Sequence, residues 1–141
     1  MILYLDTSAL VKLYVRETGS VRLRNWLSKA TAAATSVVAY AEARAAFARL
    51  HRSGLTTPRK HRERVAGFNV DWDSFMRVEL TPSVLRLAGE TAETYALRGF
   101  DSIHLASALW LRDRTDIPCA FAAFDQRLHD GATRAGLSVL P

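Results

Sequence analysis

Apolar residues run without interruption over positions 1–5, break at Asp6-Thr7-Ser8, and resume with helical spacing from Ala9 to Val15. A strand buried on both faces has that signature, so the chain opens as strand, polar turn and helix, the first unit of a parallel sheet. Ser20 stands as the cap of a second helix carrying Val21, Leu23, Trp26 and Leu27, and residues 30–35 fit a second strand. Ser36 caps a long helix over residues 37–52 that Ser53-Gly54 ends. Thr57-Pro58 and Thr81-Pro82 each pair a cap with proline at the first helical position. The first of these helices runs toward Phe68 and becomes uneven at Gly67 and Asn69; the second continues until Gly99 stops it. Residues 76–80 alternate apolar and charged, as an edge strand does. Asp101-Ser102 opens a further helix, residues 119–124 form the clearest late strand, residues 126–135 the last helix and residues 137–140 a final short strand. The fold class is therefore α/β, with helices on both faces of a central, mostly parallel sheet.

With 141 residues, 49% apolar and 23% charged, the chain has the make-up of one ordinary globular domain, residues 1–141, without repeats or low-complexity stretches. Its single cysteine, Cys119, sits in an apolar run and reads as a buried thiol in a reducing compartment. The N-terminal apolar run is too short for a signal peptide and no segment is long enough to span a membrane, so a cytoplasmic location is expected. Charge changes the picture more. The net charge is +5 and sixteen of the nineteen basic residues are Arg, which favours a polyanionic partner. Arg44, Arg49, Arg52, Arg59, Lys60, Arg62 and Arg64 cluster with only Glu63 opposing them, as a solvated helix face or a nucleic-acid surface would.

Carboxylates supply the candidate chemistry. Asp6 and Asp125 follow strands, Asp101 starts a helix, and Glu42 lies within the long helix on a face shared with Val38, Ala39, Ala45 and Ala46. Each aspartate is also a good helix cap, and a core-facing Glu needs a partner, basic or metallic. If the sheet gathers the four, a cation must relieve their repulsion, and hard oxygen donors without His or Cys select Mg2+ or Mn2+. Water activated by such an ion beside a basic surface is the chemistry of phosphodiester hydrolysis.

Asp6-Thr7-Ser8-Ala9-Leu10 after a strand, Glu42 in T-S-V-V-A-Y-A-E, Asp101 in L-R-G-F-D-S-I-H-L-A-S-A and Asp125 in A-F-A-A-F-D-Q-R-L follow one another across nearly the whole chain. In this order they resemble the PIN-domain ribonucleases, most of all the VapC-like toxins of bacterial toxin–antitoxin pairs. The resemblance implies a three-layer α/β/α PIN-like fold and an Mg2+-dependent endoribonuclease that inhibits translation, with Mn2+ as a substitute ion. Asp6, Glu42, Asp101 and Asp125 would form the acidic, metal-holding pocket, Ser8 would support its hydrogen-bond network, and Thr7 would be structural. The resemblance further implies a homodimer, a cognate antitoxin filling the active-site groove, and an RNA substrate such as tRNA or ribosomal RNA.

One departure stands at Ala123, where many relatives carry Thr, so a hydroxyl is missing at the Asp125 corner. His104 reads as a structural histidine among apolar neighbours; His51, His61 and His129 lack ligand spacing. Trp26, Trp72 and Trp110 read as core or dimer surface rather than base-stacking platforms. Two other functions fit the residues: a non-toxin PIN-fold RNA-processing nuclease, and a catalytically silent module that binds RNA or an antitoxin. A receiver domain is set aside because no lysine follows Lys60, and a haloacid-dehalogenase-like phosphatase because Ser8 stands where a second Asp is needed.

Overall fold

Ile2, Leu3, Tyr4 and Leu5 are all buried, and they make β1 (Ile2–Leu5) the centre of the molecule in the computed structural model, which describes residues 1–141. Burial of each of these side chains contributes about 1.5–3 kcal/mol, so the unbroken apolar run is what fixes β1 between two layers. β2 (Ala32–Ser36) and β4 (Cys119–Ala122) flank it, and β3 (Met76–Val78) and β5 (Ser138–Val139) close the edges in the order β3-β2-β1-β4-β5. All pairings are parallel, so the sheet is more uniform than the mostly parallel one expected.

Alternate residues of β1 feed opposite cores. Leu3 and Leu5 pack with Ala9 and Leu10 of α1 (Thr7–Val11), Leu23 of α2 (Ser20–Lys29), Phe47 of α3 (Val38–Arg52) and Phe68 of α4 (Pro58–Trp72). Ile2 and Tyr4 pack with Val84 of α5 (Pro82–Tyr95), Leu105 of α6 (Gly99–Asp113) and Leu128 of α7 (Gln126–Arg134). The result is the three-layer α/β/α arrangement. No helix is long and apolar enough to cross a membrane.

Thr57 and Thr81 cap their helices as expected, accepting from Lys60 N at 3.1 Å and Val84 N at 3.3 Å, with Pro58 and Pro82 in the first turn. Other boundaries move for identifiable reasons. α4 runs through Gly67 and Asn69 to Trp72 because Phe68 is fully buried and stacks on Tyr40, whose hydroxyl donates to Asn69 Oδ1 at 2.8 Å. Ser36 stays in β2 and offers only a 3.3 Å contact to Val38 N, while Ser20 is the first helical residue of α2 behind Gly19 at φ +95°. α5 ends earlier than Gly99: Ala96 takes the left-handed turn at φ 52°, Leu97 folds inward, and Gly99 opens α6. Asp101 therefore sits inside the first turn of α6 rather than before it. Cys119, expected to be buried, is half-exposed at the start of β4.

Candidate active site

The strand order reverses at β1, which continues to β2 on one side and has β4 on the other. In a doubly wound sheet the crevice beyond the carboxyl ends at such a reversal is the place a ligand can enter. Asp6 directly follows β1, and Asp125 follows β4 after Ala123 and Phe124. α3 leaves the same edge after β2 and carries Glu42 in its second turn; α6 runs back toward the start of β4, so its first turn brings Asp101 there too.

Asp6 is almost fully buried. It caps α1 by accepting from Ala9 N at 2.8 Å, and the Ser8 hydroxyl donates to its two oxygens at 2.8 and 2.9 Å. Burial pushes its carboxyl above the ordinary carboxylate range despite His104, the Ala9 N–H and Ser8, and the charge of Asp101 adds to the rise. Burial also raises the half-buried Asp101, and the nearby charges of Asp125 and Glu42 raise it further, against His104 and Arg98. For Glu42 burial works in the same direction, but hydrogen bonds from His104 and Thr7 overcome it and hold the carboxyl below its usual value. Asp125 is exposed and caps α7 through Leu128 N at 3.1 Å.

All four candidate carboxylates thus stand at one edge of the sheet, coupled electrostatically through Asp101. Capping is a real duty of Asp6 and Asp125, but it leaves the Asp101 and Glu42 charges unexplained. As the side chains stand, no three acid, histidine or cysteine groups converge closely enough to enclose an ion. The donors fit a hard divalent cation by chemistry and charge: carboxylate oxygens, one of them buried, in a cluster whose self-repulsion a cation relieves. None of the four is in a cavity; the largest, about 530 Å³, is lined by Tyr14, Leu27 and Phe75 away from them.

Thr7 and His104, both read from sequence as structural, reach Glu42 itself. The Thr7 hydroxyl donates to Glu42 Oε1 at 2.6 Å, and His104 Nε2 lies 2.9 Å from Thr7 Oγ1 and 3.1 Å from Glu42 Oε1. The signal available was spacing: His104 is one helical turn beyond Asp101, on the same face of α6.

The acidic edge, the parallel sheet and the order of its segments agree with one sequence family: residues 3–132 match the PIN domain. The chain belongs to the PIN-domain family. Within that family it is similar to Ribonuclease VapC49 of Mycobacterium tuberculosis (strain ATCC 25618 / H37Rv), 40% identical over 144 residues that span 99% of this chain and 95% of the relative. It is also similar to Ribonuclease VapC47 of Mycobacterium tuberculosis (strain CDC 1551 / Oshkosh), 33% identical over 138 residues, 95% of this chain and 92% of the relative. Solved structures of other proteins share the fold. A toxin-antitoxin complex from Klebsiella pneumoniae superposes with TM-score 0.69 at 16% identity, covering 99% of this chain and 96% of that one. VapC20 of Mycobacterium tuberculosis, described as a sarcin-ricin loop cleaving toxin, superposes with TM-score 0.64 at 19% identity, covering 96% and 95%.

Proposed function

We propose that this VapC-type ribonuclease is an Mg2+-dependent endonuclease, able to use Mn2+, that serves as the toxin of a toxin–antitoxin pair and inhibits translation by cutting tRNA or ribosomal RNA. One observation carries the reading: Asp6, Glu42, Asp101 and Asp125 gather at the reversal point of the sheet, where their mutual repulsion has no basic side chain among its hydrogen-bond partners except His104. In this reading residues 1–141 form one PIN domain, the four carboxylates hold the ion, and Ser8 braces Asp6. When bound, the ion supplies an activated water and neutralises charge on the phosphodiester.

The chain's own residues do the rest. Ser8 keeps both Asp6 oxygens in one orientation, and Thr7 with His104 keeps Glu42 ionised and fixed. Arg98, exposed beside Asp101, offers a guanidinium to the RNA backbone. Along α3 the rise of about 1.5 Å per residue puts Arg49 and Arg52 about 10 and 15 Å from Glu42. Arg49 and Arg52, both exposed, thus lie a few nucleotides from the cutting point, while Arg44 and Arg64 are tied to Tyr40 and the Tyr14 carbonyl. A cytoplasmic homodimer held silent by an antitoxin completes the reading; toxin-antitoxin complexes among the solved relatives support the partner.

Purified protein incubated with total cellular RNA, with and without Mg2+ or Mn2+, tests it. Metal-dependent cleavage at discrete sites, lost in Asp101→Asn, is expected. Binding of RNA without cleavage, and an Asp101→Asn protein that behaves like its parent, would leave the silent binding module instead. Cleavage without growth arrest on expression would favour the RNA-processing nuclease.

A further inference from the structure

Tyr4, His104 and Glu42 form a chain of contacts leading from the core to the acidic edge. Tyr4 is in the centre of β1, fully buried and stacked on Phe121 with ring centroids 5.4 Å apart. Its hydroxyl is 2.9 Å from Nδ1 of His104, itself only 2% exposed. On the other side of the ring, Nε2 meets Thr7 Oγ1 and Glu42 Oε1.

The hydrogen positions follow from what each group can give. A carboxylate only accepts, so the 2.6 Å contact takes the Thr7 hydroxyl hydrogen toward Glu42. Thr7 Oγ1 then has only lone pairs for His104, and Glu42 Oε1 has nothing else, so Nε2 must carry the hydrogen that both share. In the neutral ring Nδ1 is then the acceptor, and the Tyr4 hydroxyl fills it. Glu42 therefore selects the tautomer, since the other would set an imidazole lone pair against a carboxylate, and the Tyr4 hydroxyl supplies the donor that Nδ1 then needs.

We propose that His104 is a positioning residue for the acidic site, with Tyr4 as the anchor of its Nδ1: the pair holds Glu42 Oε1 so that the remaining Glu42 oxygen is free for the divalent cation. This rests on the metal-dependent reading above and adds to it two residues that touch neither ion nor RNA. Any buried histidine needs partners for both ring nitrogens, and for His104 the partner of Nε2 is a candidate metal ligand. Here both ring nitrogens are committed, one to Tyr4 in the core and the other to Thr7 and Glu42.

The test compares the full-length protein with Tyr4→Phe, His104→Leu and His104→Gln, the last keeping an amide N–H near the Nε2 position. MnCl2 is titrated into each metal-free protein by calorimetry, well below its melting temperature, and RNA cleavage is resolved into kcat and KM. Tyr4→Phe is expected to weaken Mn2+ binding about tenfold and His104→Leu about 10- to 100-fold, the range for losing an outer partner of a metal ligand. His104→Gln should recover most of the loss, and the kinetic effect should fall on kcat with KM unchanged within about twofold. Tyr4→Phe preserves shape and folds even if His104→Leu does not. Mn2+ affinity and kcat within twofold of the parent in folded Tyr4→Phe and His104→Gln, and in His104→Leu if it folds, would overturn the proposal. If the parent binds Mn2+ but cuts no RNA, the endonuclease reading fails while the comparison of Mn2+ affinities still decides this one.

Discussion

Thr7 Oγ1 donates to Glu42 Oε1 across 2.6 Å, tying the start of α1 to the second turn of α3. A hydrogen bond to a charged group is worth about 1.5–3 kcal/mol, and this one also fixes which Glu42 oxygen is occupied. Thr7→Val keeps the shape and removes the hydroxyl, so RNA cleavage should fall about 10- to 100-fold, while Thr7→Ser should stay within about threefold of the parent. Cleavage rates of the two variants at saturating Mg2+ check this. Equal rates for Val and Ser would return Thr7 to a purely structural role.

Asp125 carries two duties that one pair of substitutions separates. As a cap it accepts from Leu128 N, and Asn caps nearly as well as Asp, whereas Ala costs on the order of 1 kcal/mol. Asp125→Asn should therefore melt within about 2 °C of the parent and Asp125→Ala about 3–5 °C lower. If the carboxylate also serves the ion, both variants should lose cleavage alike. An Asp125→Asn protein that cuts normally would make this residue a cap and nothing more.

These contrasts show where the sequence was legible. β1 and Asp6 could be read because a strand buried on both faces has no competing pattern, and Glu42 because only small or apolar residues share its face. Asp101 was found, but its helix start was displaced because Gly99 looked like a stop, and only the inward turn of Leu97 reveals Ala96 as the residue that pivots. The contact between His104 and Glu42 spans 62 positions, so the spacing from Asp101 could place His104 at the site but could not name Glu42 as its partner. Thr7 was hidden for another reason. Standing beside an obvious cap, it looked like turn chemistry.

His51 of α3 and His61 of α4 stack with centroids 4.5 Å apart and 10° between their planes, and both Nδ1 atoms are shielded without a hydrogen-bond partner. Burial lowers the His61 pKa, and the charges of His51, Arg64, Arg44 and Arg62 lower it further. A base depressed in the folded state binds fewer protons there than in the unfolded chain. Its contribution is therefore intact above the ordinary imidazole value of about 6.5 and is lost as pH falls from there to the lower folded value. His61→Phe keeps an aromatic ring in the stack and has no proton to gain. Its melting temperature should drop less steeply than the parent's between about pH 6.5 and 5, and parallel curves would show that the stack does not report pH.

Asp6 carries the opposite sign. Its folded pKa is raised, chiefly by burial, so the metal-free protein gains from this group below the ordinary carboxylate value of about 3.9 and loses that gain as pH climbs through the raised one. At neutral pH the buried charge is a net cost, partly offset by Ser8 and the Ala9 N–H. Asp6→Asn keeps an oxygen for the Ala9 N–H and removes the charge. In a chelator at pH 7 it should melt above the parent, with the gap closing toward pH 4. Added Mg2+ or Mn2+ should raise the parent's melting temperature by mass action and leave Asp6→Asn nearly where it was. The same substitution should abolish cleavage, so stability and function part company at one residue, as they do where a charge is kept for a ligand rather than for the fold. An Asp6→Asn protein less stable than its parent at every pH in chelator would mean that the carboxylate belongs to the helix cap first and that no cation is needed to settle it.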